Sequence, residues 1–179
     1  MKIEDTSGKE ISTLEEWAEL YNNPQQSHQW KQHRSAYSVA EFLLNHNGTE
    51  AIQARLSDVL GCDVQLDRAV PEYEVRFDKF GKGRMHDLGM FGHTEEGKSV
   101  FIGVEAKVDE SFGASTLDQY LKAKAKQIVG GVTNAPQRIE DLLSLHFKKD
   151  DRSMFDVRYQ LLYATVGTLA EEADIHILY

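Results

Sequence analysis

Residues 71–108, "PEYEVRFDKFGKGRMHDLGMFGHTEEGKSVFIGVEAKV", decide the fold, because here the apolar residues stop recurring at helical spacing and begin to alternate. Tyr73, Val75 and Phe77 alternate with Glu72, Glu74, Arg76 and Asp78, the period-2 pattern of a half-buried strand that opens just after Pro71. "GKGR" (81–84) reads as a turn, "DLGMFG" (87–92) as a short second strand and "HTEEGK" (93–98) as a polar connection. "SVFIGVEAKV" (99–108) is a longer third strand rich in β-branched residues. Short polar turns between successive strands predict a three-stranded antiparallel meander.

Helical spacing holds on both sides of it. "STLEEWAEL" (12–20) carries Ser12 three residues before Glu15, a capping-box pattern that opens a short acidic helix, and "NNPQQS" (22–27) breaks it. "SAYSVAEFLLNH" (35–46) is a second helix and "TEAIQARLSDVLG" (49–61) a third, with Ile52, Leu56, Val59 and Leu60 on one face and Gly61 as the stop. Downstream, "STLDQYLKAKAKQIV" (115–129) starts at a Ser115 or Thr116 cap and stops at Gly130-Gly131. "APQRIEDLLSLHF" (135–147) has Pro136 in its first turn, "DDRS" (150–153) is a loop, "DVRYQLLYATVGTLAEEA" (156–173) a long helix and "DIHILY" (174–179) a final strand. The class is α/β in the α+β sense: a central mixed sheet with an antiparallel meander, flanked by helices. One domain is expected over residues 1–179, with an N-terminal helical extension at 1–27 and a helical insert at 114–150.

Composition narrows the setting. A hydrophobic share of 41% is enough for a core, "MKIEDTSGKE" lacks the apolar stretch of a signal peptide, and no segment has the ~20 apolar residues that span a bilayer. The single cysteine, Cys62, reads as a packing residue, and a reducing cytoplasmic setting is expected. A formal charge of -9 argues against coating nucleic acid by bulk electrostatics but leaves room for a local basic surface or a metal ion. The seven histidines show no paired zinc spacing.

The chemistry lies in the second and third strands. Phe101, Gly103, Glu105 and Lys107 share one face, and Val100, Ile102, Val104, Ala106 and Val108 share the other, which reads as core. If the hairpin pairs Phe91 with Phe101 and Gly89 with Gly103, Asp87 falls opposite Glu105, with their Cβ atoms roughly 5 Å apart. Two facing carboxylates are unfavourable unless a cation lies between them, and a few oxygen ligands open to water suit Mg²⁺ or Mn²⁺ better than zinc. The facing glycines are expected to leave room for a substrate. Lys107 can orient or help deprotonate a water, or stabilise charge on a phosphate, which is the logic of metal-assisted phosphodiester hydrolysis.

Asp87 followed after a hairpin by Glu105-Ala106-Lys107 resembles the PD-(D/E)XK motif of the restriction-endonuclease-like superfamily, and the element order resembles its αβββαβ core. "QWKQHRSAYSVAEF" (29–42), "PEYEV" (71–75), "VEAKVDESFG" (104–113) and "RYQLLYATVGTLAEEADIHIL" (158–178) resemble an uncharacterised branch of nucleases within it. The resemblance covers roughly residues 28–179 and implies a divalent-metal-dependent nuclease acting on DNA foremost, with Asp87 and Glu105 as metal ligands and Lys107 as the catalytic lysine. His86 stands where many members have proline, and "HILY" ends where a typical last strand continues. Glu72 or Glu74 would be a helper acid; alternation does not choose between them, and Glu72 is preferred because "PE" opens the strand. Gln160 shares a helix face with Tyr163, Ala164 and Gly167, and "QLLY" resembles a glutamine-tyrosine helix motif of some members, which places Gln160 at the border of the site.

Blander readings stand beside these. A bare E-x-K on a strand is usually a solvated pair, Lys122, Lys124 and Lys126 read as a solvated helix surface, and Trp30 reads as a core anchor. The competing function is a catalytically silent nuclease-like scaffold that binds nucleic acid or inhibits a partner protein in phage-host conflict. The expected partner is nucleic acid rather than a membrane, and a homodimer is compatible with the chain.

Overall fold

The meander organises the computed structural model, which describes residues 1–24, 27–147 and 152–179. β2 (Val64–Val75), β3 (Arg84–Thr94) and β4 (Ser99–Val104) are successive antiparallel neighbours, preceded by a short β1 (Lys2–Ile3) and followed by β5 (Ile175–Leu178). β1 adds parallel to β2 and β5 adds parallel to β4, giving a five-stranded mixed sheet in the order β1-β2-β3-β4-β5. The β3–β4 register is the one that alternation implies: Leu88 pairs with Val104, Gly89 with Gly103 and Phe91 with Phe101.

Helices cover both faces. On one, α1 (Leu14–Ala18), α2 (Ser35–Asn45) and α3 (Gly48–Leu60) bury Trp17, Leu43, Ile52 and Leu56 against Leu66, Leu88, Met90 and Ile102. On the other, α6 (Tyr159–Ala170) lies close over β3 and β4, carried back across the sheet by α4 (Thr116–Ile128) and α5 (Ala135–His146). Gly103 permits that approach: a Cβ there would collide with Thr168 Oγ1 and the His86 ring. The crossover from β4 through these helices to a parallel β5 needs length, and residues 105–174 supply it. Among the described residues, no helix is long and apolar enough to cross a membrane.

Local chemistry sets the helix ends. Ser115 caps α4 by accepting the Asp118 N–H at 3.1 Å, Pro136 sits in the first turn of α5, and Gly61 ends α3 in the left-handed region at φ 68°. Asp150 and Asp151 of the "DDRS" loop, like Gln25 and Gln26 of "NNPQQS", lie outside the described residues; Arg152–Phe155 forms a 3-10 turn.

Several expectations shift. β2 starts at Val64, eight residues before the expected start at Glu72, and runs through Pro71; the proline is tolerated because β1 pairs only with Arg68 and Ala69, so that stretch of β2 is an edge. β3 starts at Arg84, which belongs to the strand and not to the turn. β4 ends at Val104, with the Glu105 N–H still donating to Tyr179 C=O at 3.1 Å, so Ala106 is only half-buried and Val108 is 44% exposed instead of core. The box on α1 is Thr13 with Glu16, one residue later than Ser12 with Glu15, and Val59 on α3 is exposed. α6 is shorter than residues 156–173.

Candidate active site

The site forms where strand alternation fails. On β3, Leu88 and Met90 face the α2–α3 core, and strict alternation would send His86 there too. Its ring instead packs against Phe101, with ring centres 6.0 Å apart, beside Gly103 on the α6 face. β2 skips at the same point: Pro71 pairs with Leu88 and Tyr73 with His86, and Tyr73 packs on Phe91 and Phe101 of the α6 face. Between these pairs stand Glu72 and Asp87, which pair with no residue in the ladder. Glu72 has φ 51°, a left-handed conformation that costs a non-glycine residue about 1–3 kcal/mol and tends to occur at functional sites. The double skip turns both acids into one cleft at the end of the sheet.

That cleft encloses about 380 Å³ and is lined by Glu72, Arg84, Asp87, Glu105, Lys107 and Gln160, with Arg34, Ser35 and Glu110 at its border. Asp87 Oδ2 accepts the Ala106 N–H at 2.7 Å, which ties β3 to the segment just past β4. Lys107 Nζ donates to Glu105 Oε1 at 2.9 Å, and the Arg84 guanidinium contacts Glu105 Oε2. Tyr21 donates its hydroxyl to Glu72 Oε1 at 2.6 Å, and Trp30 stacks on the Tyr21 ring at 5.4 Å. Ser35 Oγ donates to Glu110 at 3.3 Å, with Arg34 3.6 Å from the same carboxylate. Gln160 Oε1 is buried without a hydrogen-bond partner.

Burial dominates the electrostatics. It pushes the Asp87 carboxyl above the usual range, against the pull of the Ala106 N–H, Lys107 and Arg84. It also raises Glu72, which Asp87 raises further while Tyr21 and Arg84 oppose. The same desolvation lowers Arg84, with Asp87 the largest opposing influence. His86 is pushed down to about 4 by burial and by Arg84, so its imidazole is neutral at pH 7.

All five candidate residues, Asp87, Glu105, Lys107, Glu72 and Gln160, line this cleft. Glu74 does not: its carboxylate accepts the Gly83 N–H at 2.8 Å in the β2–β3 hairpin, which separates the two acids that alternation left open. The facing glycines serve packing, not a substrate, since a Cβ on Gly89 would lie 2.7 Å from the Tyr73 ring and one on Gly103 would collide with α6. Lys122, Lys124 and Lys126 lie on α4 outside the cleft, Lys124 being 3.7 Å from Glu140. Arg84 and Tyr21 are the residues that sequence reading missed: alternation carried back from Asp87 selects Met85, and Arg84 reaches the cleft only because β3 changes phase between Leu88 and His86.

The carboxylates of Glu72, Asp87 and Glu105 offer the hard oxygen donors that Mg²⁺ or Mn²⁺ takes. Their raised affinity for protons, in Asp87 and Glu72, fits a cluster that gains from added positive charge. Among the described residues, no three His, Cys, Asp or Glu side chains converge closely enough to form a ligand set by themselves. Residues 10–177 match the family described as Domain of unknown function (DUF6946). No curated protein and no solved structure matches the chain.

Proposed function

We propose that this chain, which belongs to the DUF6946 family, is a divalent-metal-dependent nuclease with a restriction-endonuclease-like core, hydrolysing phosphodiester bonds of DNA. The observation that carries the reading is the meeting of Asp87, Glu105 and Lys107 in one cleft at the end of the sheet, with the PD-(D/E)XK-like order of residues behind it. Asp87 and Glu105 would hold Mg²⁺ or Mn²⁺, with Glu72 beside them. The bound ion would supply Lewis-acid stabilisation of the phosphate and a more acidic water.

The chain's own groups do the rest. Glu105 holds the Lys107 ammonium 2.9 Å away, positioned to orient a water or to stabilise charge developing on phosphate oxygens. Tyr21 anchors Glu72, and the Ala106 N–H fixes one oxygen of Asp87 and leaves the carboxylate aimed by the backbone. A phosphate chain finds positive charge on two segments that border the cleft, Lys31 and Arg34 in 28–34 and Lys79, Lys82 and Arg84 in the β2–β3 hairpin.

The alternative, a catalytically silent nuclease-like scaffold that binds nucleic acid or inhibits a partner protein, draws on one observation. Arg84 and Lys107 together neutralise Glu105 without any metal. Labelled linear and circular DNA incubated with and without Mg²⁺ or Mn²⁺ separates the two readings. The nuclease cleaves only with metal, and Lys107→Ala or Asp87→Asn slows it by about 10²–10³-fold or more while the fold persists. Inert wild-type protein across DNA and RNA substrates overturns the enzymatic reading in favour of the scaffold.

A further inference from the structure

Resting on the metal-site reading above, we infer that Arg84 is the built-in counter-cation of the carboxylate cluster, holding Glu105 when no divalent ion is bound and giving it up when one binds.

The side chains of Arg84 and Glu105 are 13% and 4% exposed, so neither charge is relieved by water and each needs a partner. Glu105 has two partners, Lys107 on Oε1 and Arg84 on Oε2, which leaves no oxygen for an incoming ion unless one cation moves. Lys107 follows Glu105 by two residues in the segment just past β4, which the Ala106 N–H ties to Asp87. Arg84 comes from β3, on the other side of the cleft, and reaches Glu105 Oε2 through the tip of its guanidinium.

The fold separates the part of Arg84 that is fixed from the part that can move. Its Cβ and Cγ lie 2.7 and 2.8 Å from where a Cβ on Gly167 would stand, so the absence of a side chain on α6 seats the arginine stem. The guanidinium lies 5.8 Å from the centre of the Tyr163 ring, an aromatic face on the same helix that can receive a cation leaving Glu105. A divalent ion and a guanidinium repel each other, so the cluster binds one or the other at Glu105.

Calorimetric titration of Mn²⁺ into metal-stripped protein tests this without a catalytic readout. Arg84→Gln should bind Mn²⁺ about tenfold more tightly than wild type, within the usual range for coupled binding events, and Asp87→Asn should abolish binding in either background. In EDTA, Arg84→Gln should melt below wild type, and saturating Mn²⁺ should close the gap; a purely structural arginine leaves the gap unchanged. Arg84→Met keeps the apolar stem against Gly167 and is read the same way should the glutamine variant fold poorly. In the wild-type protein, the Arg84 Nε–H resonance should shift on titration with Mg²⁺, and a resonance that stays put while the ion binds overturns the inference. Equal or weaker Mn²⁺ binding by both variants, with wild type still binding, also overturns it and leaves the metal site standing. Absence of binding in wild type and variants alike removes the metal site and the inference together.

Discussion

Asp87 carries two burdens, a charge that burial disfavours and a hydrogen bond that holds the site's edge. Because its folded carboxyl lies above the ordinary value of 3.8, the folded protein holds that proton more tightly than the unfolded chain does. The cost of its charge is therefore absent below the unfolded value and reaches its full size as pH rises through the folded one. Asp87→Asn removes the charge and keeps a side-chain oxygen for the Ala106 N–H. Metal-free Asp87→Asn should melt above wild type at pH 7.5, and the gain should shrink toward pH 4. A variant no more stable at pH 7.5 would mean that Lys107 and Arg84 outweigh burial at this residue. Asp87 is legible in sequence because the hairpin register carries it to the end of β4; the ladder stops at Leu88 and Val104, so Asp87 meets Glu105 across the cleft and not as a cross-strand pair. Arg84 is not, because "GKG" before it reads as a turn and nothing local shows that its stem will rest on Gly167, more than eighty positions away.

At the scale of elements, the β3–β4 pairing follows from alternation alone, while the break at Glu72 and Asp87 depends on what packs from outside the strands. His86 and Tyr73 move to the α6 face to complete an aromatic cluster with Phe91 and Phe101, and the left-handed Glu72 absorbs the change of phase. No period in "PEYEV" encodes that, which is why alternation does not separate Glu72 from Glu74, and the preference for Glu72 rests on its place at the strand's opening. The early start of β2 was hidden for a similar reason: Pro71 breaks a central strand but not an edge, and only β1's two-residue length makes this an edge. Gly103→Ala tests the packing account. Its Cβ would push Thr168 and His86 off β4, an overpacking expected to cost about 1–3 kcal/mol. For a chain of 179 residues each kcal/mol lowers the melting temperature by about 2–4 °C. Differential scanning fluorimetry should show that loss; an unchanged melting temperature with weakened ligand binding would return Gly103 to the role of clearing a path for substrate.

On the scale of the whole molecule, 29 acidic against 20 basic residues make the average surface repel DNA, so affinity must come from where the basic residues are placed. Lys79 and Lys82 are exposed on the hairpin whose far end supplies Arg84 to the cleft, and Arg138 clamps that hairpin to α5 through Asp78 at 2.8 Å. A fixed basic hairpin beside an acidic floor can hold a backbone so that only the phosphate to be cut meets the carboxylates. Lys122 and Lys126 carry the same charge on α4, no residue of which lines the cleft, whereas the hairpin that carries Lys79 and Lys82 lines it through Arg84 and Met85. Salt dependence distinguishes the two sets, because each neutralised phosphate of duplex DNA adds about 0.9 to the slope of log affinity against log salt. Measured in a Lys107→Ala background with Mg²⁺ present, so that substrate survives, Lys79→Ala with Lys82→Ala should lower that slope by about 1.8 if each lysine meets one phosphate. Lys122→Ala with Lys126→Ala should leave it unchanged. The reverse result would route DNA over the 114–150 helices, and the hairpin would then serve only to carry Arg84 to Glu105.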